Sequence, residues 1–136
     1  MKNEIFILDS NIWISYIITK RLHRLVALVQ GSQLIILTSK QLIEEIRGVL
    51  SRQKFKKYIK TADVNEVIAI HIKLCRMIEI NEARNWLSDK KDNFLLNLYD
   101  QGNATILVSG DKELLREATE LNYHILSFKE FELLFR

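Results

Sequence analysis

The stretch that decides the fold is EIFILDSN, residues 4–11. After Glu4 it runs Ile5, Phe6, Ile7, Leu8 with no alternation of polar and apolar positions, so it reads as a strand buried on both faces. A carboxylate, Asp9, follows at once, and then Ser10 and Asn11. An acid at the mouth of the most apolar strand calls for an explanation.

Working outward, similar aliphatic runs recur as QLIIL (33–37), a weak MIEI (77–80), ATILV (104–108) and NYHIL (122–126). Helical patterns lie between them near 21–30, 39–50, 62–75, 93–101 and 112–121. Gly31 and Gly102 each follow such a pattern and precede an aliphatic run, which predicts helices that end in left-handed glycine caps. Strands that alternate with helices and are apolar throughout imply an α/β fold whose parallel sheet is covered on both faces. In such a sheet, ligands bind beyond the carboxyl ends of the strands. Asp9 stands at that place.

The chain has 136 residues, the size of a single domain, read here as one unit over 1–136. With 48% hydrophobic and 27% charged residues it has the balance of a globular protein, neither disordered nor membrane-embedded. No apolar run approaches the roughly 20 residues that cross a bilayer, and the start carries no signal-type segment, so a cytoplasmic location is expected. Cys75, the single cysteine, has no partner for a disulfide or a zinc site and reads as a small core residue.

Net charge is +3 with a pI near 9.0, an excess that permits a polyanionic partner. The segment RQKFKKYIK (52–60) holds five of the 20 basic residues, with Phe55 and Tyr58 interleaved and no acid. Arg52, Lys54, Lys56 and Lys57 are therefore candidate contacts for RNA or a partner protein. The plainer reading is a solvated helix face.

Further acids could join Asp9. Asp111 follows the strand ATILV after Ser109 and Gly110, and it also suits the cap of the helix that follows. Asp92 precedes the amphipathic stretch NFLLNLY, where capping would equally explain it, whereas Asp89 with Lys90 and Lys91 reads as an exposed turn. SKQLIEEIRGVL offers Glu44 and Glu45, and helix geometry separates them. At about 100° per residue, Leu42, Ile43, Ile46, Val49 and Leu50 fill an arc of roughly 120°, with Glu45 about 40° beyond its edge and Glu44 nearly opposite its centre. Glu45 can lean toward a cleft; Glu44 belongs in solvent. Carboxylates gathered without basic partners repel one another unless a cation compensates. All-oxygen donors suit Mg²⁺ or Mn²⁺.

LDSNIWIS, SKQLIEEIRGVL, SDKKDNFLL and ILVSGDKELL stand in the order found in PIN-domain proteins, and the chain resembles the VapC-like toxin ribonucleases of prokaryotic toxin-antitoxin systems. NYHILSFKEFELL is similar to that family's last strand and tail. The resemblance implies a three-layer α/β/α domain with a parallel sheet ordered 3-2-1-4-5. It also implies a Mg²⁺- or Mn²⁺-dependent endoribonuclease whose acids map onto Asp9, Glu45, Asp92 and Asp111. Asn11 takes the family's polar position two after the first acid and is expected to orient it, and Ser109 matches a Ser or Thr beside the last acid. Asn93 and Glu113 stand where relatives often carry Asp, departures that bear on a second metal more than on the first.

The expected partners are an RNA substrate, a cognate antitoxin protein and a second copy of the chain, with no membrane. The rival reading is a PIN-fold module that binds RNA or protein without catalysis. Transfer through an aspartyl phosphate fits poorly, because haloacid-dehalogenase-type enzymes want an acid where Asn11 stands. His23, His71 and His124 are scattered and read as surface or core residues. Trp13 and Trp86 read as core or interface anchors, although Trp13 is near enough to Asp9 to line a cleft. The apolar side of the tail, with Phe128, Phe131, Leu133, Leu134 and Phe135, is expected to pack on the body or on a partner.

Overall fold

A computed structural model describes residues 4–81 and 92–135 of the chain. The elements run β1 (Ile5–Leu8), α1 (Ser10–Ile18), α2 (Leu22–Gln30), β2 (Ile35–Thr38), α3 (Lys40–Leu50), a 3₁₀ turn (Gln53–Phe55), α4 (Thr61–Leu74) and β3 (Arg76–Met77). Beyond residue 91 follow α5 (Asn93–Gln101), β4 (Ile106–Val108), α6 (Lys112–Glu120), β5 (Ile125–Leu126) and α7 (Phe128–Leu134). The strands form one sheet in the order β3-β2-β1-β4-β5, and every pairing is parallel. Phe6 of β1, the central strand, stands opposite Ile36 on one side and Ile106 on the other.

Successive side chains on a strand point to opposite faces, and the strands divide the core accordingly. Phe6, Leu8, Ile36, Ile106 and Val108 meet α1, α3, α4 and Phe131 of α7 on one face. Ile7, Leu37 and Leu107 meet Leu95, Leu96 and Leu98 of α5 and Leu114 and Ala118 of α6 on the other. These are the three layers expected. Both faces of β1 are dry, which is why its sequence shows no alternation.

Two helices fall outside the helical patterns read from the sequence. In α1, Ser10, Ile12, Trp13, Ile14, Tyr16 and Ile17 are all buried, leaving too little polar surface to write a period of 3.6. The tail forms α7, started by a capping box in which Ser127 and Glu130 satisfy each other's backbone N–H. It packs on the body: Phe131 is buried edge-on against Phe6, and Tyr16 donates a 3.0 Å hydrogen bond to Glu132. Leu133 and Leu134 remain exposed.

The helix ends correct one expectation. Gly31 and Gly102 have φ of −79° and −92°, and the left-handed residue is the next one, Ser32 or Asn103. Lys20 and Asn122 play the same part after α1 and α6. At each of the four ends the following N–H reaches back to close a Schellman turn, as in Arg21 N to Tyr16 O at 2.8 Å and Ala104 N to Tyr99 O at 2.9 Å. Gly102 is required for another reason, since a Cβ there would collide with Leu37 Cδ1 and lie 2.9 Å from Leu98 O.

Candidate active site

β1 hands Asp9 directly to α1. Its N–H donates to Val108 O at 2.9 Å, extending the β1–β4 ladder by one step, while its carbonyl accepts from Ile12 N at 2.9 Å to open the helix. The backbone is thus fixed from both sides, and the side chain is only 4% exposed. Ser109 Oγ donates to Asp9 Oδ2 at 2.8 Å and accepts from Asp111 N at 3.1 Å, so one hydroxyl ties the ends of β1 and β4 together.

Glu45 reaches the same place from α3. Ser10 Oγ donates to Glu45 Oε1 at 2.7 Å and lies 3.4 Å from Asp9 Oδ1. A serine hydroxyl has one proton, so the shorter contact takes it and the Asp9 contact is residual. Leu42, Ile43, Ile46 and Leu50 of α3 are buried, Glu45 is half-buried and Glu44 is exposed. The helix geometry read from the sequence separates the two glutamates in the right sense.

Burial holds the Asp9 carboxyl above the ordinary carboxylate range; the negative charge of Glu45 adds to the rise, and the hydrogen bond from Ser109 opposes it. Among the described residues no cation forms an ion pair with Asp9, Glu45 or Asp111. A buried carboxylate beside a second acid, with no protein cation, is favourable to a proton or a bound metal ion.

Asp111 and Asp92 both precede helices but differ in use. Asp111 Oδ1 caps α6 by accepting from Glu113 N at 2.9 Å and Leu114 N at 3.3 Å. Asp92, half-buried before α5, makes no side-chain cap bond. Because α5 ends where the chain turns into β4, its start lies toward the carboxyl end of the sheet. Capping therefore accounts for one oxygen of Asp111; Asp92 does not cap α5 and is not without a partner.

Other expectations fall out differently. Asn11 is exposed, and the hydroxyl that donates to the Asp9 carboxylate is that of Ser109 instead. Glu113 is exposed and pairs with Arg116 at 2.8 Å. Trp13 is fully buried against His71 and does not line the cleft, while His23 and His124 are exposed. Asp89, Lys90, Lys91 and Trp86 lie outside the described residues. Two positions were missed by sequence reasoning. Ser10 was legible as the hydroxyl following the first acid, and Asn97, buried with its amide donating to Asn93 O at 3.0 Å, as a polar residue one turn beyond Asn93 on an apolar face.

All four candidate acids offer hard oxygen donors, and the Asp9 and Glu45 pair, with no cation paired to it among the described residues, supplies a reason for a divalent cation, so the donor chemistry fits Mg²⁺ or Mn²⁺. Their spacing is looser than the sequence implied. Among the described residues no three His, Cys, Asp or Glu side chains stand close enough together to hold a metal ion. The structure joins Asp9 to Glu45 through Ser10 and to the Asp111 backbone through Ser109, and does not close the four acids into a cage.

The PIN domain family profile matches residues 6–113, the span that carries Asp9, Glu45, Asp92 and Asp111. The chain belongs to the PIN domain family. Among solved structures it is similar to VapBC2 from Rickettsia felis bound to a DNA fragment from their promoter, with 17% identity and a TM-score of 0.61 over 90% of this chain and 98% of that one. It is also similar to PAE2754 from Pyrobaculum aerophilum, with 12% identity and a TM-score of 0.65 over 94% of this chain and 86% of that one. At these identities the likeness is one of fold. None of the curated proteins matches the chain.

Proposed function

We propose that this PIN domain is a Mg²⁺- or Mn²⁺-dependent endoribonuclease acting as the toxin of a toxin-antitoxin pair. The observation that carries the reading is Asp9: a carboxylate buried at the end of the central strand, beside Glu45, with no cation paired to it among the described residues. Asp9 and Glu45 would hold the ion, with Asp111 and Asp92 as further oxygen donors. When bound, it would activate a water for in-line attack on an RNA phosphodiester and neutralise charge on the phosphate. Ser109 and Ser10 orient the two carboxylates, the β1–α1 junction fixes the first of them, and no side chain serves as nucleophile.

The likeness to the VapBC2 assembly supports an antitoxin as partner. The absence of a ready three-acid cage among the described residues favours a second reading, a PIN module that binds RNA or protein without catalysis. A cleavage assay on mixed RNAs decides. Metal-dependent cleavage that disappears in Asp9→Asn supports the nuclease; no cleavage with either ion supports the binding module.

A further inference from the structure

The basic run 52–60 is more than a charged face, because the fold adds a distant lysine and a concavity to it. Lys56, Lys57 and Lys60 line a cavity of about 400 Å³ together with Lys20, which comes from the end of α1. Lys20 is held there by its left-handed backbone, φ 58°, in the Schellman turn that closes α1. Tyr58, 47% exposed, lies on the same wall, and Lys57 sits over its ring at 5.1 Å. Asp63 is the single acid in the lining.

Lys56 also lines an adjoining cavity of about 250 Å³ with Arg47 of α3. Among the described residues none of these lysines forms an ion pair. The α4 N-terminus at Lys60 has no side-chain cap, so its first N–H groups add positive potential at the same spot. A merely solvated helix face would spread its charges outward. Here four lysines from two parts of the chain line one hollow.

We propose that this hollow is a backbone-phosphate subsite for single-stranded RNA, with Tyr58 as a platform for a base. The inference rests on the nuclease reading for its substrate class and adds where the strand is held. Several cations without acid partners match repeated phosphates, and an exposed aromatic ring among them matches stacking, which an acidic peptide does not use. α1 joins the hollow to the carboxylates, and α3 reaches the adjoining cavity through Arg47. α1 runs its 9 residues from Ser10, about 13 Å at ~1.5 Å per residue, to the turn holding Lys20. α3 carries both Glu45 and Arg47. A strand seated here would be held about the length of α1 away from the carboxylates, and Arg52 and Lys54, which do not line the hollow, would matter less.

The test measures binding of a labelled 12-nucleotide oligouridylate to the full chain in chelator, where cleavage cannot interfere. Lys20→Gln with Lys57→Gln should weaken binding at least tenfold at low salt and reduce the salt slope by about 1.4, at ~0.7 for each phosphate no longer neutralised. Tyr58→Ala should weaken it severalfold with the salt slope unchanged. Lys73→Gln with Lys129→Gln, exposed charges elsewhere, removes the same net charge and should leave affinity within twofold. Equal losses in the two double variants, no RNA binding by the wild type, or loss of polyglutamate binding with RNA binding intact would each overturn the subsite. Absence of cleavage alongside lysine-dependent binding would instead remove the nuclease reading and leave the subsite standing.

Discussion

Ser109 Oγ donates a 2.8 Å hydrogen bond to Asp9 Oδ2 across 100 residues of chain, and it is the contact that makes two strand ends into one site. β1 and β4 are neighbours in the sheet, so their carboxyl ends arrive together whatever follows them. The serine converts that proximity into a fixed carboxylate orientation. Its hydrogen bond also works against the rise in the Asp9 pKa that burial and Glu45 impose.

That balance makes Asp9 a residue held at a cost to stability. Its folded-state pKa is raised, so its contribution to stability is full below the ordinary carboxylate range and is lost as pH rises through the folded value. At pH 7 without metal, Asp9→Asn should therefore melt higher than the wild type while losing cleavage by orders of magnitude. Thermal melts in chelator check the first part. A variant that melts lower at pH 7 would show that the carboxylate is not destabilised.

The two glutamates of α3 give a sharper comparison. Glu45 is half-buried and hydrogen-bonded to Ser10, whereas Glu44 is exposed. Glu45→Gln should reduce cleavage by orders of magnitude with the fold intact, and Glu44→Gln should change it less than twofold. Equal losses in the pair would remove Glu45 from the site.

Addition of Mg²⁺ or Mn²⁺ should raise the melting temperature of the wild type. An ion that binds the folded state alone contributes about 2.7 kcal/mol at 100 times its Kd, enough for a shift of several degrees in a domain of this size. Asp9→Asn should abolish most of the shift. A wild-type melt unmoved by millimolar metal would count against the carboxylates as an ion site.

What the sequence disclosed followed from one-dimensional patterns. The continuous apolar runs marked the strands, and the 3.6-residue period of α3 separated Glu45 from Glu44. Where burial erased the pattern, legibility ended: α1 is buried nearly all round and shows no period, and the left-handed turns fell on Ser32 and Asn103 one position beyond the expected glycines. Asp9 and Asp111 were legible as acids following strands, because a carboxylate after an apolar run is conspicuous. The hydrogen bonds of the site were not. Ser10 to Glu45 and Lys20 beside Lys57 depend on how α1 lies against its neighbours, which no local pattern records.

Gly102 tests the packing between the two core halves of the second face. A methyl group there would meet Leu37 Cδ1 and approach the backbone oxygen of Leu98 to 2.9 Å, and Leu37 is fully buried. Gly102→Ala should destabilise the fold by about 1–3 kcal/mol, the usual cost of overpacking. Denaturant unfolding measures it. The same substitution at Gly48, where nothing lies within 4 Å of an added Cβ, should instead stabilise α3 by about 0.5–1 kcal/mol. Equal effects at the two glycines would mean that helix propensity alone governs Gly102.

His71 should give the stability its acid-side dependence. Its ring is buried edge-on against Trp13 at 4.1 Å between centroids, Nε2 lies 2.7 Å from Thr38 Oγ1, and Cys75 Sγ stands 3.9 Å away. None of these neighbours is acidic, and among the described residues Nδ1 has no hydrogen-bond partner, so a protonated ring would find no acceptor there. Burial lowers its pKa from 6.5 to about 4. The unfolded chain then binds the proton more readily than the folded one. Stability is full above pH 6.5 and falls as pH drops through about 4, by an amount on the order of 3 kcal/mol at ~1.4 kcal/mol per pH unit. His71→Leu should flatten the unfolding free energy over that window, while Asp9→Asn, whose group has the opposite sign, should steepen it. Denaturant melts between pH 7 and pH 4 separate the two, and parallel curves for the wild type and His71→Leu would show that another group governs the acid limb.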